Sequence, residues 1–247
     1  VGGVAYQNKK TRVRITHFPV VHCRRGSMGY KVEWWPNRKD LWNPAKAVSM
    51  IYTSDTRPET NCIAQAKNGG HGVNVFIHEM ILPPELLAMK NMGLTSPDYN
   101  QEGFAYAVSQ AAKIEKSSHS PQGAYGCVLS RITPRPKLAV LAHFPTANDT
   151  VSCALESVKA HFSPNGPNDY PVFGRDIIWA TDLMVLRVKK DRIVQSMAKV
   201  GDYTFGAKEN PLTPTQMYPP KYPSPTYQID QSTVIRPGPG TYCRNGY

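Results

Sequence analysis

Three short, largely apolar runs constrain this chain more than anything else in it: residues 47–52, 73–77 and 138–142. Each is the length of a buried strand and too short for a helix. Each also stops at a residue able to bind metal or move protons. The first runs into Thr53-Ser54-Asp55, the second into His78-Glu79 and the third into His143. Three strands ending in such side chains describe one edge of a sheet gathered around one site.

The intervening sequence predicts the layers that cover that sheet. Residues 58–67 have helical spacing, with Pro58 at the first turn where its missing N–H costs little, and Gly69-Gly70 stops them. Residues 83–92, 102–116 and 121–130 also read as helices, and Asn148-Asp149-Thr150 offers a cap for another through about residue 161. Upstream, residues 11–21 alternate polar and apolar side chains and lead into His22, and residues 28–35 read as the hairpin partner. Residues 36–44 read as a polar loop, and 177–180 and 183–188 as late strands with Thr181-Asp182 between them. Strands alternating with helices mean an α/β architecture. From about residue 206 prolines crowd the chain, so the expected division is a domain over 1–205 and a Pro-rich strap or tail over 206–247.

Composition excludes little but ranks the partners. With 247 residues and 40% hydrophobic side chains there is material for a substantial core. The net charge of +11 invites a nucleic-acid reading, yet the basic residues are scattered, densest only at Arg24-Arg25 and Lys189-Lys190-Asp191-Arg192. A solvated basic surface is the expectation, and a nucleic-acid partner is not. Five widely spaced cysteines contain no C-x-x-C pair, so they set no disulfide framework, although one bridge fits an oxidising compartment. No run is long enough for a membrane span. Neither G-x-G-x-x-G nor G-x-x-x-x-G-K-[ST] occurs, which removes both phosphate-cradling loops.

Several segments, taken in order, resemble one family. Val20-Val21-His22 followed by Gly29-Tyr30-Lys31 is similar to a hairpin of the metallo-β-lactamase-fold hydrolases, in the branch of ribonuclease Z and arylsulfatase-like proteins. Thr53-Ser54-Asp55-Thr56-Arg57 resembles that branch's S-G-D-T-R segment, with Ser54 where glycine is usual. His78-Glu79-Met80 resembles its H-E-A-T element, His119-Ser120 its H-S-T element, and Ala142-His143-Phe144 its T-H-[FI] segment. Ala180-Thr181-Asp182-Leu183-Met184 is similar to a late strand of small-substrate members, among them proteins associated with guanitoxin biosynthesis. The family's H-x-H-x-D-H signature occurs nowhere in these residues.

The resemblance implies an αββα sandwich, of which this chain covers mainly the C-terminal part, the partner being a missing N-terminal segment of the same protein. It implies two zinc ions, with His22 and His143 as ligands and Asp55 as the bridge, and a zinc-activated hydroxide that attacks the substrate. His119, steadied by Glu79, would protonate the leaving group, while His78 would pack beside the site. In the ribonuclease Z branch a long tRNA-gripping arm lies between the two motifs that match here at Tyr30 and Asp55, where this chain has only 24 residues. The expected activity is therefore hydrolysis of a small-molecule ester, lactone, sulfate or phosphodiester. The alternatives are a tRNA 3′-processing phosphodiesterase and a non-catalytic binding or structural protein that keeps the fold without a complete metal site. A homo-oligomer is compatible with these residues, and the Tyr-, Asn- and Pro-rich composition leans towards a periplasmic or secreted protein. His17, His71 and His161 are expected to be structural or superficial, Trp34, Trp35, Trp42 and Trp179 to be core or lid aromatics, and Asp182 to serve either a turn or the site's surroundings.

Overall fold

The structure is a computed structural model that describes residues 2–23, 26–81, 84–94, 98–143, 158–159, 162, 171–172, 174–180 and 184–197. The expected strap over 206–247, Asp182, His161 and the cap at 148–150 lie outside these residues. Seven strands form one mixed sheet in the order of the chain: β1 (Gly3–Asn8), β2 (Val13–Pro19), β3 (Met28–Trp34), β4 (Val48–Tyr52), β5 (Val75–Glu79), β6 (Leu138–Ala142) and β7 (Ile177–Trp179). The first four pair antiparallel, and β4 to β7 run parallel. A separate hairpin, β8 (Met184–Val188) and β9 (Ile193–Met197), follows.

The parallel half needs crossovers, and the helical segments supply them. Helix α1 (Thr60–Lys67) links β4 to β5, while α2 (Pro84–Asn91), α3 (Phe104–Ser118) and α4 (Gln122–Ser130) lie between β5 and β6. The chain is thus an α/β protein, as its alternating pattern predicts. Two strands escaped the sequence reading. β1 opens on Gly3, a residue of poor strand propensity, and β9 is a polar-mixed stretch that forms by pairing with β8. The polar loop before β4 also contains two 3-10 turns, Arg38–Asp40 and Pro44–Lys46.

The helices bury one face of the sheet. Phe18, Ile51 and Phe76 pack with Cys62, Ile63 and Ala66 of α1 and Val128 of α4; Ala139, Leu141 and Ile177 pack with Tyr125 and Leu129. Gly29 is needed here for a steric reason: a Cβ at that position would lie 2.5 Å from the Phe18 ring, its cross-strand neighbour. Next to it, Lys31 donates to Asn68 Oδ1 at 3.0 Å and ties β3 to the end of α1. The glycine and lysine of the Gly29-Tyr30-Lys31 motif therefore have packing roles.

Among the described residues, the opposite face is covered where Met184, Leu186, Val188 and Ile193 of the hairpin meet Val75, Leu138, Val140 and Ile178. Met28, Tyr30, Trp34 and Tyr52 are 37–45% exposed. β3 is inverted relative to simple patterning, because its polar Glu33 is fully buried, held by Arg14 at 2.7 Å, while Tyr30 and Trp34 face outwards. Trp34 is consequently neither core nor lid, whereas Trp35 is buried as expected and stacks edge-on with Trp42.

Cys127 in α4 is disulfide-bonded, while Cys23 and Cys62 are free and buried. Buried Glu59 caps α1 by accepting from Asn61 N and Cys62 N. Burial outweighs these two donors and raises its carboxyl from 4.5 to about 7. A raised folded value stabilises the fold in full below 4.5, and that stability is lost as pH rises through 7. The loss is on the order of 3 kcal/mol. The thermal unfolding midpoint should therefore fall between about pH 5 and about pH 8, and Glu59→Gln should flatten the fall.

Candidate functional site

The sheet order brings distant residues to one edge. β2 runs antiparallel to β3 and β3 to β4, so β2 and β4 point the same way and both end beside the C-terminal ends of β5 and β6. His22 follows β2, Asp55 follows β4, Glu79 is the last residue of β5 and His143 follows β6. His119 arrives from the C-terminal end of α3, where it is the C-cap. Ligand-binding groups in open α/β sheets gather at this carboxyl edge.

Asp55 Oδ2 lies 4.0 Å from His22 Nε2 and 3.7 Å from His143 Nε2. The His119 ring meets His22 edge-on at 5.1 Å between centroids and stacks on His143 at 5.4 Å. Two groups of donor atoms, each mutually within 4.8 Å, result: His22, Asp55 and His119, and Glu79, His119 and His143. Donors bonded to one tetrahedral zinc sit about 3.4 Å apart, given bonds of about 2.0–2.2 Å. The separations around Asp55 are too long for hydrogen bonds and exceed that figure by about 0.3–0.6 Å. Imidazole and carboxylate are also the ligands zinc takes. Asp55 paired with either histidine thus suits a metal in chemistry and approximate spacing, while His22 and His143 fall in different donor groups.

Glu79 and His119 belong to a different kind of contact. His119 Nδ1 lies 2.7 Å from Glu79 Oε2, a hydrogen-bond distance too short for two ligands of one ion. Both groups are buried. Burial first, and then the nearby Asp55 charge, push the Glu79 carboxyl well above its usual range, while the N–H groups of Thr56 and Ser120 pull it back. Nδ1 and Oε2 share a hydrogen bond whose direction follows the protonation of the pair. That bond orients the His119 ring and leaves proton transfer to Nε2.

A buried polar network holds the turn that carries Asp55. His78 contacts Thr53 Oγ1 at 2.7 Å and Ser120 Oγ at 3.0 Å, and Ser120 Oγ donates to Thr56 O at 2.7 Å. Thr56 N donates to Glu79 Oε1. Val21 N donates to Thr56 Oγ1 at 3.0 Å, and Arg57 N to Val21 O at 2.8 Å, so the His22 segment is clamped to the Asp55 turn. Complete burial lowers the His78 pKa to about 3, so the ring is neutral, with one nitrogen donating and the other accepting. His78 thus lies outside both donor groups and supports the turn. Thr53, Thr56 and Ser120 were missed as site residues, although small hydroxyl residues flanking each motif were visible in the sequence.

Ser54 and His143 both adopt the left-handed region, at φ +59 and +55. Such φ values cost a residue with a Cβ about 1–2 kcal/mol, which glycine avoids. This is the physical reason a glycine suits the position of Ser54. Ser54→Gly should stabilise the protein by about 0.5 kcal/mol in denaturant titration, because the relieved strain exceeds glycine's extra chain entropy of about 0.5–1 kcal/mol.

The other two described histidines, His17 and His71, stand apart. His71 is exposed in the loop after α1. His17 is half-buried in β2 over Gly3 and belongs to neither donor group. Trp179 packs against the core beneath α4. In comparison with known proteins, the chain matches no family model and none of the curated proteins.

Proposed function

We propose that the protein is a metal-dependent hydrolase of the metallo-β-lactamase type, acting on a small-molecule ester, lactone, sulfate or phosphodiester. The observation that carries this reading is convergence: His22, Asp55, His119 and His143, from four separate segments, meet at one sheet edge. His22, Asp55 and His143 would hold zinc, which when bound supplies a Lewis acid and lowers the pKa of a water towards 7. Asp55 stands between the two histidines and is suited to share itself between two ions. His119 protonates the leaving group from Nε2, and Glu79 keeps its ring oriented and stabilises the imidazolium.

Three donors are few for two ions, since a catalytic zinc takes about three protein ligands of its own. The finer fold reading answers this. An αββα sandwich would set a second β-layer on the face where β8 and β9 pack. That layer would bring further donors to the same edge. The non-catalytic alternative is favoured by the small donor set alone.

Small substrates are preferred to tRNA because the residues between Tyr30 and Asp55 are used up by β3, two 3-10 turns and β4, with no arm among them. The Cys127 disulfide supports an oxidising compartment. Among the described residues no helix is long and apolar enough to cross a membrane.

The test is zinc titration against a competing chelator, combined with hydrolysis of p-nitrophenyl esters, sulfate esters and bis(p-nitrophenyl) phosphate, with precursor tRNA alongside. Zinc-dependent turnover of a small substrate is expected. A protein that binds no zinc under any condition refutes the hydrolase reading, and selective cleavage of the tRNA replaces it with the nuclease.

A further inference from the structure

The basic run Lys189-Lys190-Asp191-Arg192, expected from sequence to be solvated surface, forms the turn of the β8–β9 hairpin, closed by Lys189 N donating to Arg192 O at 2.8 Å. The turn is tied to the sheet. Lys137, the residue before β6, donates from Nζ to Lys190 O at 2.6 Å. The turn, the start of β6 and the residues leading into β7 enclose a cavity of about 310 Å³. That volume is at the lower end of the range for small-molecule sites, and too small for a polymer.

The cavity has two kinds of wall. Leu138, Ile178 and Ile193 are its apolar side and belong to the packing of the hairpin on the sheet. On the polar side three cations, Lys137, Arg175 and Arg192, face one carboxylate, Asp191. Asp176 takes the Arg175 Nε at 2.9 Å and Nη2 at 2.8 Å, which leaves Nη1. With Asp176 included, positive charge is still in excess. Lys137 uses one of its three N–H donors on Lys190, and among the described residues the Arg192 guanidinium makes no hydrogen bond or ion pair. Lysine and arginine only donate, so the polar wall calls for an acceptor of negative charge. The Arg175 fork is occupied by Asp176, so a planar carboxylate cannot be gripped there by two parallel bonds. Single donors arriving from three segments suit the separate oxygens of a tetrahedral head group instead.

We propose that this cavity is a binding site for a small organic phosphate or sulfate ester, its charged head held by Lys137, Arg175 and Arg192 and its apolar body resting on Leu138, Ile178 and Ile193. The site is separate from the candidate metal centre. Leu138 opens β6 and His143 follows its last residue, which puts roughly 16 Å of strand between them at about 3.3 Å per residue.

The experiment is amide NMR of the full chain without added metal, titrated with phenyl phosphate and phenyl sulfate, against inorganic phosphate, benzoate and benzyl alcohol. Saturable shifts are expected at residues 137–138, 174–175 and 191–193 with at least one ester, and the tighter ester identifies the head group. Inorganic phosphate should bind more weakly, benzyl alcohol not at all, and added salt should weaken the ester. Arg192→Gln should lower affinity about threefold to tenfold, and Lys137→Gln similarly. Arg192 is exposed in the turn, so its variant stays informative should the loss of Lys137 free the hairpin, and thermal unfolding of both variants reports that directly. No saturable shift with either ester, equal binding of benzyl alcohol, shifts centred on Asp55 and His143, or unchanged affinity in folded Arg192→Gln overturns the site. Benzoate binding as tightly as the esters overturns the tetrahedral head. Neither metal nor turnover is needed, so the result is independent of the hydrolase reading.

Discussion

Asp55→Ala is expected to lower zinc affinity at least about a hundredfold and to abolish hydrolysis, because one carboxylate oxygen stands within 4.0 Å of both candidate ligand histidines. Changing groups that merely support metal ligands costs about 10–100-fold in affinity, and removing a ligand costs more. Removing Asp55 also leaves His22 and His143 without a negative charge to offset a dication. The fold should survive, since Asp55 is half-buried and the turn around it is held by Thr53, Thr56 and Ser120 instead. Chelator competition and metal analysis on folded protein provide the measurement. Unchanged zinc stoichiometry and affinity in the variant would remove Asp55 from the metal site.

His119→Ala should retain zinc and lose rate, with kcat falling about 10²–10⁴-fold. Nδ1 lies 2.7 Å from Glu79 Oε2, which on the proposed reading gives the ring to proton transfer before metal. The limb of the pH–rate profile that reports the general acid should vanish with it. Glu79→Gln should cost less, about 10–100-fold, because an amide still contacts the ring but no longer favours the imidazolium. Substrates with leaving groups too acidic to need a proton should be spared in both variants. A His119 variant that loses its zinc would mean that the imidazole is a ligand, and the assignment of roles between His119 and His143 would have to be exchanged.

How much of this was legible in advance depends on the range of the interaction concerned. The runs at β4, β5 and β6 could be read because five apolar residues followed by a polar turn are a local pattern. Helices α1 to α4 were legible for the same reason, through spacing and stop signals. β9 was not, because its residues gain strand structure only by pairing with β8. The outward turn of Trp34 was not legible, because Glu33 is made tolerable inside by Arg14, nineteen residues away in sequence, and no periodicity announces such a partner.

The site divides along the same line. Residue chemistry alone singled out His22, Asp55, His78, Glu79, His119 and His143, each a polar group at the end of an apolar strand or at the mouth of a helix, and the family resemblance divided the roles among them. Only the tertiary structure decided that His22 shares an edge with Asp55, because two successive antiparallel pairings return β2 to the direction of β4. It also decided that Glu79 bonds His119 across 40 residues, and that His78 braces a turn. Local sequence specifies which side chains end each strand through short-range propensity and patterning. Which of those ends meet is set by strand order and direction, and these follow from burial and pairing between segments far apart in the chain.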